Sequence, residues 1–347
     1  MLHFGIDLGG FLSQICIRDE LGKIIGELCV PTRELHITLA QYAPSRVVLE
    51  TCAEAFAVAD RLTRNGHDVR VVPATLVRQL GVGAHGVKTD VRDARVLSDV
   101  STKIDLPSVH VPSQWSRDAR GVARLRDALV RSRTLLVNTV RGYLRTKLFK
   151  VKRGSKSTLT VRVRATVTEM LDAVPAAIER QLTVVDVLNA QIKAADADIK
   201  VLADSDPICR LLMTAPGVGP LTSIYFRTVI DVVERFPSAD EVESYVGITP
   251  GEKSSSGRKN RTSITKAGPG PLRRVLVQAC WVIWMKKPND PLALWGRQVA
   301  VRRGQKIAVV GMARKLAGVL FAMWRDGCPY DPKKVSSLVN GGRVDAT

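Results

Sequence analysis

The stretch HFGIDLGGFLSQICIRDELGKIIGELCV, residues 3–30, decides the architecture of the first part of the chain. It contains three apolar runs, at His3–Asp7, Ser13–Arg18 and Lys23–Val30. The last two runs are separated by Asp19-Glu20-Leu21-Gly22, and a polar tetrapeptide that ends in glycine favours a hairpin turn. The pattern therefore predicts three strands, the last two of which form a β-hairpin.

Alternating strands and helices follow this hairpin. RVVLE, residues 46–50, indicates a buried strand that ends on an acid, and residues 68–72 indicate another strand. Residues 53–65 between them have a helical pattern that Gly66 ends. This order predicts a mixed sheet covered by helices. It fits the ribonuclease H-like fold, and also the actin-like fold, which is built from the same hairpin topology.

Composition excludes several broad classes of protein. The chain has 347 residues, enough for two domains, and 45% are hydrophobic, which is typical of a packed globular protein. No run of about eighteen apolar residues predicts a membrane span, and the first ten residues lack a signal-peptide pattern. The six cysteines include no Cys-x-x-Cys pair, so neither a zinc ribbon nor a thioredoxin motif is predicted. We expect a cytoplasmic protein.

Positive charge is the strongest compositional signal. The formal net charge is +19, and such an excess indicates a polyanionic partner, of which nucleic acid is the usual one. Between Arg117 and Arg164, 15 basic residues accompany only Asp118 and Asp127. A solvated helix face is the alternative interpretation, but its self-repulsion would be uncompensated without phosphates. We therefore expect the middle of the chain to contact a nucleic-acid backbone.

Two long helices are predicted in this basic middle region. Ser116–Leu148 has apolar residues at helical spacing with arginines between them, and residues 175–203 repeat apolar residues mostly three or four apart. Such helices form either an antiparallel pair or a coiled coil between subunits, and the sequence leaves both open. Further helices are expected at Ser238–Val246, Gly270–Trp284 and Gln305–Arg325.

Four acidic residues in the first hundred positions are candidate metal ligands. Asp7 and Glu50 each end a predicted strand, and Asp90 and Asp93 fall in KTDVRDAR. Thr89 is a candidate N-cap, which places both aspartates in the first turn of a helix. An i,i+3 pair shares one helix face, with Cβ atoms about 5–6 Å apart, and this suits one or two magnesium ions. Acids can favour a helix N-terminus without any metal, but four acids in this order predict a metal site.

A polar, basic loop surrounds three consecutive serines. It runs through ITPGEKSSSGRKNR, residues 248–261, inside an otherwise apolar helical part of the chain. One interpretation is a flexible linker, and the other is a serine nucleophile among cations that bind a scissile phosphate. All five histidines precede residue 111, which disfavours a Ser-His-Asp acyl-transfer enzyme. Metal-assisted phosphoryl transfer is the chemistry that remains.

Six motifs, in order along almost the whole chain, resemble those of one family. They are GIDLG, VVLETCA, KTDVRDARVL, TAPGVGP, YVGITPGEKSSSG with ITKAG, and GMARKLAG. By these motifs the sequence resembles the DEDD-type insertion-sequence transposases, the IS-one-ten family, which is related to the Piv-type DNA invertases. The resemblance implies an α/β plus α architecture. It has a ribonuclease H/RuvC-like DEDD domain at residues 1–110, a helical coiled-coil region at 111–205 and a mainly helical transposase domain at 206–347.

The resemblance also implies which residues are catalytic. The four acids of the family correspond to Asp7, Glu50, Asp90 and Asp93. The catalytic serine of the family falls in the run at 254–256. Counting back from Lys266 in ITKAG favours Ser254, whereas counting forward from Pro250 can favour Ser255. We assign Ser254 as the nucleophile and keep Ser255 as the alternative.

The implied mechanism is a DNA recombination through a covalent phosphoserine link, with Mg²⁺ held by the acids. The serine of one subunit would complete the acidic site of another in a homodimer or homotetramer. A bridge RNA would pair with donor and target DNA, so the protein would recognise shape and charge. We expect a nucleoid-associated prokaryotic protein without a membrane partner. The cations expected to bind nucleic acid are Lys253, Arg258, Lys259, Arg261, Lys266, Arg273, Arg274, Arg141, Arg145 and Lys147.

Three other functions stay open at this point. A RuvC-like metal-dependent DNA nuclease would use only the acids. An actin-like ATPase or sugar kinase is suggested by GIDLGG, although no convincing second glycine-rich phosphate loop follows late in the chain. A nucleic-acid-binding protein with an inactive site would show strong salt-dependent binding and no cleavage.

Overall fold

The computed structural model contains two compact units, Met1–Pro112 and Ser113–Thr347. It describes residues 1–79, 89–152, 154–155, 158–252 and 261–340. The chain is mixed α/β and mainly helical, as predicted. The division into three domains with boundaries near residues 110 and 205 stays a prediction.

The described strands of the first unit form one five-stranded mixed sheet, which confirms the predicted sheet type. The strand order is β3-β2-β1-β4-β5. β2 is antiparallel to both β1 and β3, whereas β4 is parallel to both β1 and β5. The strands are β1 (His3–Leu8), β2 (Leu12–Arg18), β3 (Ile24–Pro31), β4 (Arg46–Glu50) and β5 (Asp68–Val72).

The predicted hairpin turn between β2 and β3 is confirmed. The backbone N–H of Asp19 donates to the carbonyl oxygen of Lys23 over 3.0 Å. The Asp19 carboxylate accepts from the N–H groups of Leu21 and Lys23, at 3.0 and 2.9 Å. Gly22 has a φ of 79°, a left-handed conformation that glycine adopts without a steric penalty. The turn is therefore specified by its own residues.

Helices cover both faces of this sheet, because side chains in a strand alternate between the two faces. Val47 and Leu49 of β4 pack in the core on one face, whereas Val48 packs on the other face with Leu97 and Leu106. The helices of this unit are α1 (Leu35–Leu39), α2 (Ala55–Arg64), α3 (Ala74–Gln79) and α4 (Asp90–Lys103). A 3₁₀ turn at Thr32–Glu34 precedes α1.

The second unit is mainly helical. The helices predicted at 116–148, 175–203, 238–246, 270–284 and 305–325 are all present, with ends within two residues of the prediction. Its helices are α5 (Gln114–Thr146), α6 (Leu159–Leu171), α7 (Ala176–Ser205), α8 (Pro207–Leu212), α9 (Pro220–Ile230), α10 (Ala239–Val246), α11 (Gly270–Lys286), α12 (Pro291–Arg303), α13 (Gln305–Asp326) and α14 (Pro332–Asn340).

The two long helices α5 and α7 pack as an antiparallel pair within the chain. Arg126 in the first half of α5 pairs with Asp196 in the second half of α7, with N and O atoms 2.8 Å apart. Further along α5, Arg133 donates to Asn189 over 3.1 Å. Residues further along α5 thus contact residues earlier in α7, so the two helices run in opposite directions.

Helix α13 lies in the middle of the largest core. It is the one described helix that is long and apolar enough to cross a membrane, but two thirds of that apolar stretch (67%) is buried inside the protein. Leu316, Leu320 and Phe321 are all at most 1% exposed in this core. The core also contains Ile224, Tyr225 and Phe226 of α9. The sequence of this helix shows no polar face, because Thr222, Ser223 and Thr228 are buried together with its apolar residues.

A buried carboxylate joins the start of α5 to the end of α9. Asp231 is 5% exposed and has a φ of 62°. Its carboxylate accepts from the backbone N–H of Ser113 at 3.0 Å, from the Ser113 hydroxyl at 2.6 Å and from the Ser116 hydroxyl. Ser113 is also the N-cap of α5, since its hydroxyl accepts from the N–H of Ser116. One side chain therefore satisfies several polar groups at the entrance to α5.

We expect Asp231→Ala to lower the free energy of unfolding of the second unit by about 2–4 kcal/mol, because buried donors lose their acceptor. The measurement is urea unfolding followed by tryptophan fluorescence. All five tryptophans lie between residues 115 and 324, so the signal reports on this unit alone. Glu234→Ala, an exposed carboxylate three residues away, is the matched control. Equal losses in the two variants would contradict the role of Asp231.

Candidate functional site

Two of the predicted acids lie at the carboxyl ends of neighbouring parallel strands. The ladder between β1 and β4 ends at the pair Ile6 and Leu49. Asp7 and Glu50 are the next residues on the two strands, and both side chains are half-buried. Parallel strands end at the same edge of a sheet, so the two acids share that edge.

Helix α4 crosses β1 in the opposite direction and brings the other two acids to the same edge. His3 at the start of β1 contacts Ser101 near the end of α4, with Nδ1 and Oγ 2.9 Å apart. Gly5 faces the α4 backbone, where an added Cβ would lie 2.2 Å from the Ala94 carbonyl oxygen. Because a strand rises about 3.3 Å per residue and a helix about 1.5 Å, the first turn of α4 lies beside Asp7.

That first turn is formed as predicted. The Thr89 hydroxyl accepts from the backbone N–H of Arg92 over 3.3 Å, which confirms Thr89 as the N-cap of α4. Asp93 is 3% exposed, whereas Asp90 is exposed to solvent. The pair therefore spans the boundary between the core of the first unit and its surface.

The acids fit a hard divalent cation in kind, since carboxylate oxygens are the ligands that Mg²⁺ prefers. Among the residues that the structure describes, however, no three histidine, cysteine, aspartate or glutamate side chains lie close enough together to hold one ion. The described residues thus place the four acids along one edge without bringing three of them around a single point.

The serine segment is connected to the second unit by a short two-stranded sheet. Its strands are β6 (Pro250–Glu252) and β7 (Arg261–Ile264), paired antiparallel. Pro250 pairs with Ile264, and Glu252 pairs with Arg261. The predicted residues Lys253, Ser254, Ser255, Arg258 and Lys259 lie outside the described residues, and so does the side chain of Arg261.

The base of this hairpin packs tightly against the end of α10. Gly247 ends α10 with a φ of 72°, and a Cβ there would lie 2.7 Å from the backbone nitrogens of Ala267 and Gly268. The N–H of Lys266 donates to the Gly247 carbonyl oxygen over 3.1 Å. Lys266 itself is exposed, with a φ of 57°. Arg273 donates to the carbonyl oxygens of Val246 at 2.9 Å and Gly268 at 2.5 Å. It therefore holds this base together through the backbone.

Arg274 forms an ion pair with a carboxylate that the sequence analysis did not single out as a site. Asp127 of α5 is 4% exposed, and its Oδ2 accepts from the Tyr225 hydroxyl over 2.7 Å and from Arg274. Burial raises the pKa of the Tyr225 phenol, and the hydrogen bond to Asp127 raises it further. The signal in the sequence was that Asp127 is one of only two acids in the basic stretch.

Two family models match this chain in separate parts. A DEDD transposase model of the IS110 type matches residues 4–148, which include the four acids. A model described as the transposase IS116/IS110/IS902 family matches residues 209–293, which include the serine segment. The chain belongs to the IS116/IS110/IS902 transposase family.

Relatives of this transposase match over nearly its whole length. The transposase for insertion sequence element IS1111A of Coxiella burnetii is 25% identical, covering 92% of this chain and 88% of that protein. The transposase for insertion sequence element IS1328 of Yersinia enterocolitica is 26% identical over 94% of this chain and 97% of its own. A probable family 20 transposase of Pseudomonas aeruginosa is 25% identical, covering 95% and 98% of the two chains.

The remaining predicted cations of the transposase lie at the end of α5. Arg141, Arg145 and Lys147 are all exposed. Arg141 and Arg145 are four residues apart and therefore lie on one face of the helix. Other arginines of the basic stretch are engaged within the protein, since Arg126 pairs with Asp196 and Arg164 with Glu179 and Asp186. Only part of the positive charge is thus available to a polyanion.

We expect Gly5→Ala to separate α4 from β1, because its Cβ would overlap backbone atoms of Ala94 and Ser98. Overpacking of this kind costs about 1–3 kcal/mol, so amide hydrogen exchange in β1 and α4 should become faster. DNA cleavage should be lost with it. Gly10→Ala is the matched control, since a Cβ there meets nothing within 4 Å. Unchanged exchange in Gly5→Ala would contradict the close approach.

The contact between His3 and Ser101 predicts a pH dependence of the first unit. Burial lowers the pKa of the His3 imidazole below its ordinary value of 6.5, and the charges of Arg46 and the N-terminus lower it further. Below pH 6.5 the unfolded chain therefore takes up a proton that the folded chain refuses. Stability from this group is present above pH 6.5 and is lost as pH falls through the lowered pKa.

We expect His3→Gln to make this unit less sensitive to acid, since glutamine can still bond to Ser101 but does not titrate. The measurement is hydrogen exchange of β1 and α4 amides from neutral pH downwards, corrected for the intrinsic exchange rate. Parallel pH curves for the native protein and the variant would show that His3 does not contribute.

Proposed function

We propose that this transposase cuts and rejoins DNA through a covalent phosphoserine intermediate, with Ser254 as the nucleophile and Ser255 as the alternative. The observation that carries the cleavage of DNA is the shared edge of the first unit, where Asp7 and Glu50 end parallel strands and α4 presents Asp90 and Asp93. The serine step is supported by the position of the serine run inside the matched family segment, residues 209–293. We further propose that the first unit has a ribonuclease H-like fold, which its strand order supports.

Asp7, Glu50, Asp90 and Asp93 would hold Mg²⁺ or a similar divalent ion. The DEDD character of the matched family domain supports this assignment. The ion would supply electrostatic stabilisation of the charge that develops on phosphate oxygens. The strand ends fix two of the carboxylates, and the capped first turn of α4 fixes the other two.

The serine step balances without an external energy source. The Ser254 hydroxyl loses its proton, its Oγ forms a bond to phosphorus, and one P–O bond to a deoxyribose breaks to leave a hydroxyl on the cut strand. In the rejoining step a hydroxyl of the exchanged strand attacks the phosphoserine and releases the serine. Each step exchanges one phosphoester bond for another. Lys253, Arg258, Lys259, Arg261 and Lys266 would neutralise the phosphate.

The partners follow from the charge and the family. Donor and target DNA are the substrates, and a bridge RNA would supply sequence recognition by base pairing. The exposed cations Arg141, Arg145 and Lys147 would bind the backbone of these nucleic acids. The protein would act as a homodimer or homotetramer, in which the serine and the acids come from different subunits, and its three parts would be residues 1–110, 111–205 and 206–347.

A second candidate is a metal-dependent DNA nuclease in which water attacks the phosphate. The acidic edge favours it as strongly as it favours recombination, since the acids alone would suffice for hydrolysis. The two candidates differ in the fate of the phosphate. Hydrolysis leaves no bond between protein and DNA, whereas the serine route passes through one.

A covalent-adduct assay separates them. Full-length protein, Mg²⁺, the DNA of its own element and the RNA encoded beside the gene are mixed, denatured and resolved on a gel. We expect an adduct in the native protein, its loss in Ser254→Ala, and its loss in Asp7→Asn or after removal of Mg²⁺ by a chelator. Retention in Ser254→Ala with loss in Ser255→Ala would identify the alternative serine.

Ser263→Ala is the matched control, because Ser263 lies in β7 outside the serine run. It should form the adduct normally. Cleaved DNA without an adduct, unaffected by any serine substitution, would establish the nuclease instead.

A further inference from the structure

The turn between β1 and β2 presents two apolar side chains to solvent. Phe11 is 92% exposed and Leu12 is 56% exposed. A single exposed apolar residue is common on protein surfaces. An exposed aromatic ring lacks the large stabilisation that its burial would provide. Whether such a ring serves a binding function depends on the residues around it.

The backbone of this turn is held by hydrogen bonds from Thr32. The N–H of Thr32 donates to the Phe11 carbonyl oxygen over 2.9 Å, and the Thr32 hydroxyl donates to the Gly9 carbonyl oxygen over 2.7 Å. The hydroxyls of Ser13 and Thr32 lie 2.7 Å apart, and both residues are buried. A Cβ at Gly9 would lie 2.2 Å from the Leu12 carbonyl oxygen, so the turn requires glycine there. The exposed ring therefore stands on a fixed backbone.

The turn lies at the acidic edge. The ladder between β1 and β2 ends at the pair Leu8 and Ser13, directly after Asp7 and Gln14. Phe11 therefore extends beyond the carboxyl end of β1, the same end at which Asp7 lies. Arg33 follows Thr32. Its side chain is 84% exposed, and its Nε lies 3.2 Å from the carboxylate of Glu34, so its charge is partly compensated on the surface. Arg61 donates to the Arg33 carbonyl oxygen over 3.4 Å, which adds a second exposed cation beside the turn.

We propose that Phe11 stacks on an unpaired nucleobase of the strand that enters the acidic edge, while Arg33 contacts its phosphate. The inference rests on the proposed function of that edge as the cleavage site. An exposed aromatic face next to a cation is the combination that binds single-stranded nucleic acid without sequence preference. Apolar side chains can also enter between base steps and unstack them.

A nucleobase fits this turn better than a second copy of the chain. Two side chains on one turn cover far less than the roughly 800 Å² per partner of a stable protein interface. Arg33 and Arg61 together exceed the charge of Glu34, which pairs with Arg33, so the surroundings of the turn keep a net positive charge that complements a phosphate backbone. Stacking on the strand would position its scissile phosphate with respect to Asp7 without reading the base sequence, so Phe11 is a positioning residue.

The test compares two oligonucleotides of equal length in a chelator, so that binding depends neither on metal nor on the serine. One carries normal bases and the other carries abasic sites at several central positions, which preserves the phosphates. We expect the native full-length protein to bind the first more tightly by about 5- to 100-fold, the contribution of stacking. Phe11→Ala should abolish most of this preference, and Phe11→Tyr should restore it.

Leu21→Ala is the matched control, because Leu21 is 94% exposed at the turn on the other end of β2. It should keep the preference for bases. A preference unchanged in Phe11→Ala would overturn the inference, as would a shift in oligomeric state that accompanies this substitution in sedimentation. Loss of the adduct in Asp7→Asn with the base preference intact would leave the stacking role standing. If the native protein forms the covalent adduct but binds both oligonucleotides equally, the stacking role of Phe11 is wrong while the proposed serine mechanism stands.

Discussion

The close approach of α4 to β1 at Gly5 is the constraint on which the first unit depends. Only a residue without Cβ lets the helix backbone reach van der Waals distance of the strand, 2.2 Å from where a Cβ would stand. The contact of His3 with Ser101 fixes the far end of the same crossing. Because the contacts at Gly5 and His3 fix the position and direction of α4 on β1, the first turn of α4 lies beside the carboxyl end of β1. The acids are thus positioned by packing between backbones, whatever their own interactions are.

The second unit depends instead on buried carboxylates. Asp127 accepts from Tyr225 and Arg274, and Asp231 accepts from Ser113 and Ser116. Each joins α5 to α9, and Asp127 also joins both to α11 through Arg274. A buried charge is costly unless its hydrogen bonds are satisfied, so such groups tolerate few alternative packings. Arg273 and Arg274 were predicted to bind phosphate because of their positive charge. The structure shows that both also stabilise the fold, Arg273 through backbone carbonyl oxygens and Arg274 through Asp127.

The sequence predicts features formed by residues close together in the chain, but not contacts between residues far apart in it. The Asp19–Gly22 turn and the Thr89 cap were predicted because each involves residues within four positions. The sequence does not predict helix α9, because the helix is buried on most sides and its buried residues include threonines and a serine, which removes the usual helical period of apolar residues. The partners of Asp127 and Asp231 are 98 to 147 positions away in the chain, so no local pattern reveals them. The four acids could be assigned to one edge from strand ends and helix phase, whereas the serine assignment came from resemblance.

The base of the β6–β7 hairpin has a consequence for how this family can diversify. Gly247 and Gly268 join the hairpin to the end of α10 through close backbone contacts, and the Arg273 side chain adds hydrogen bonds to backbone carbonyl oxygens there. The core of the unit therefore depends on the closure of this base. Lengthening a closed loop adds only a logarithmic entropy cost. A change in the length of the segment between the two strands therefore costs little folding free energy as long as this base closes, so that length can vary in evolution while the scaffold is kept.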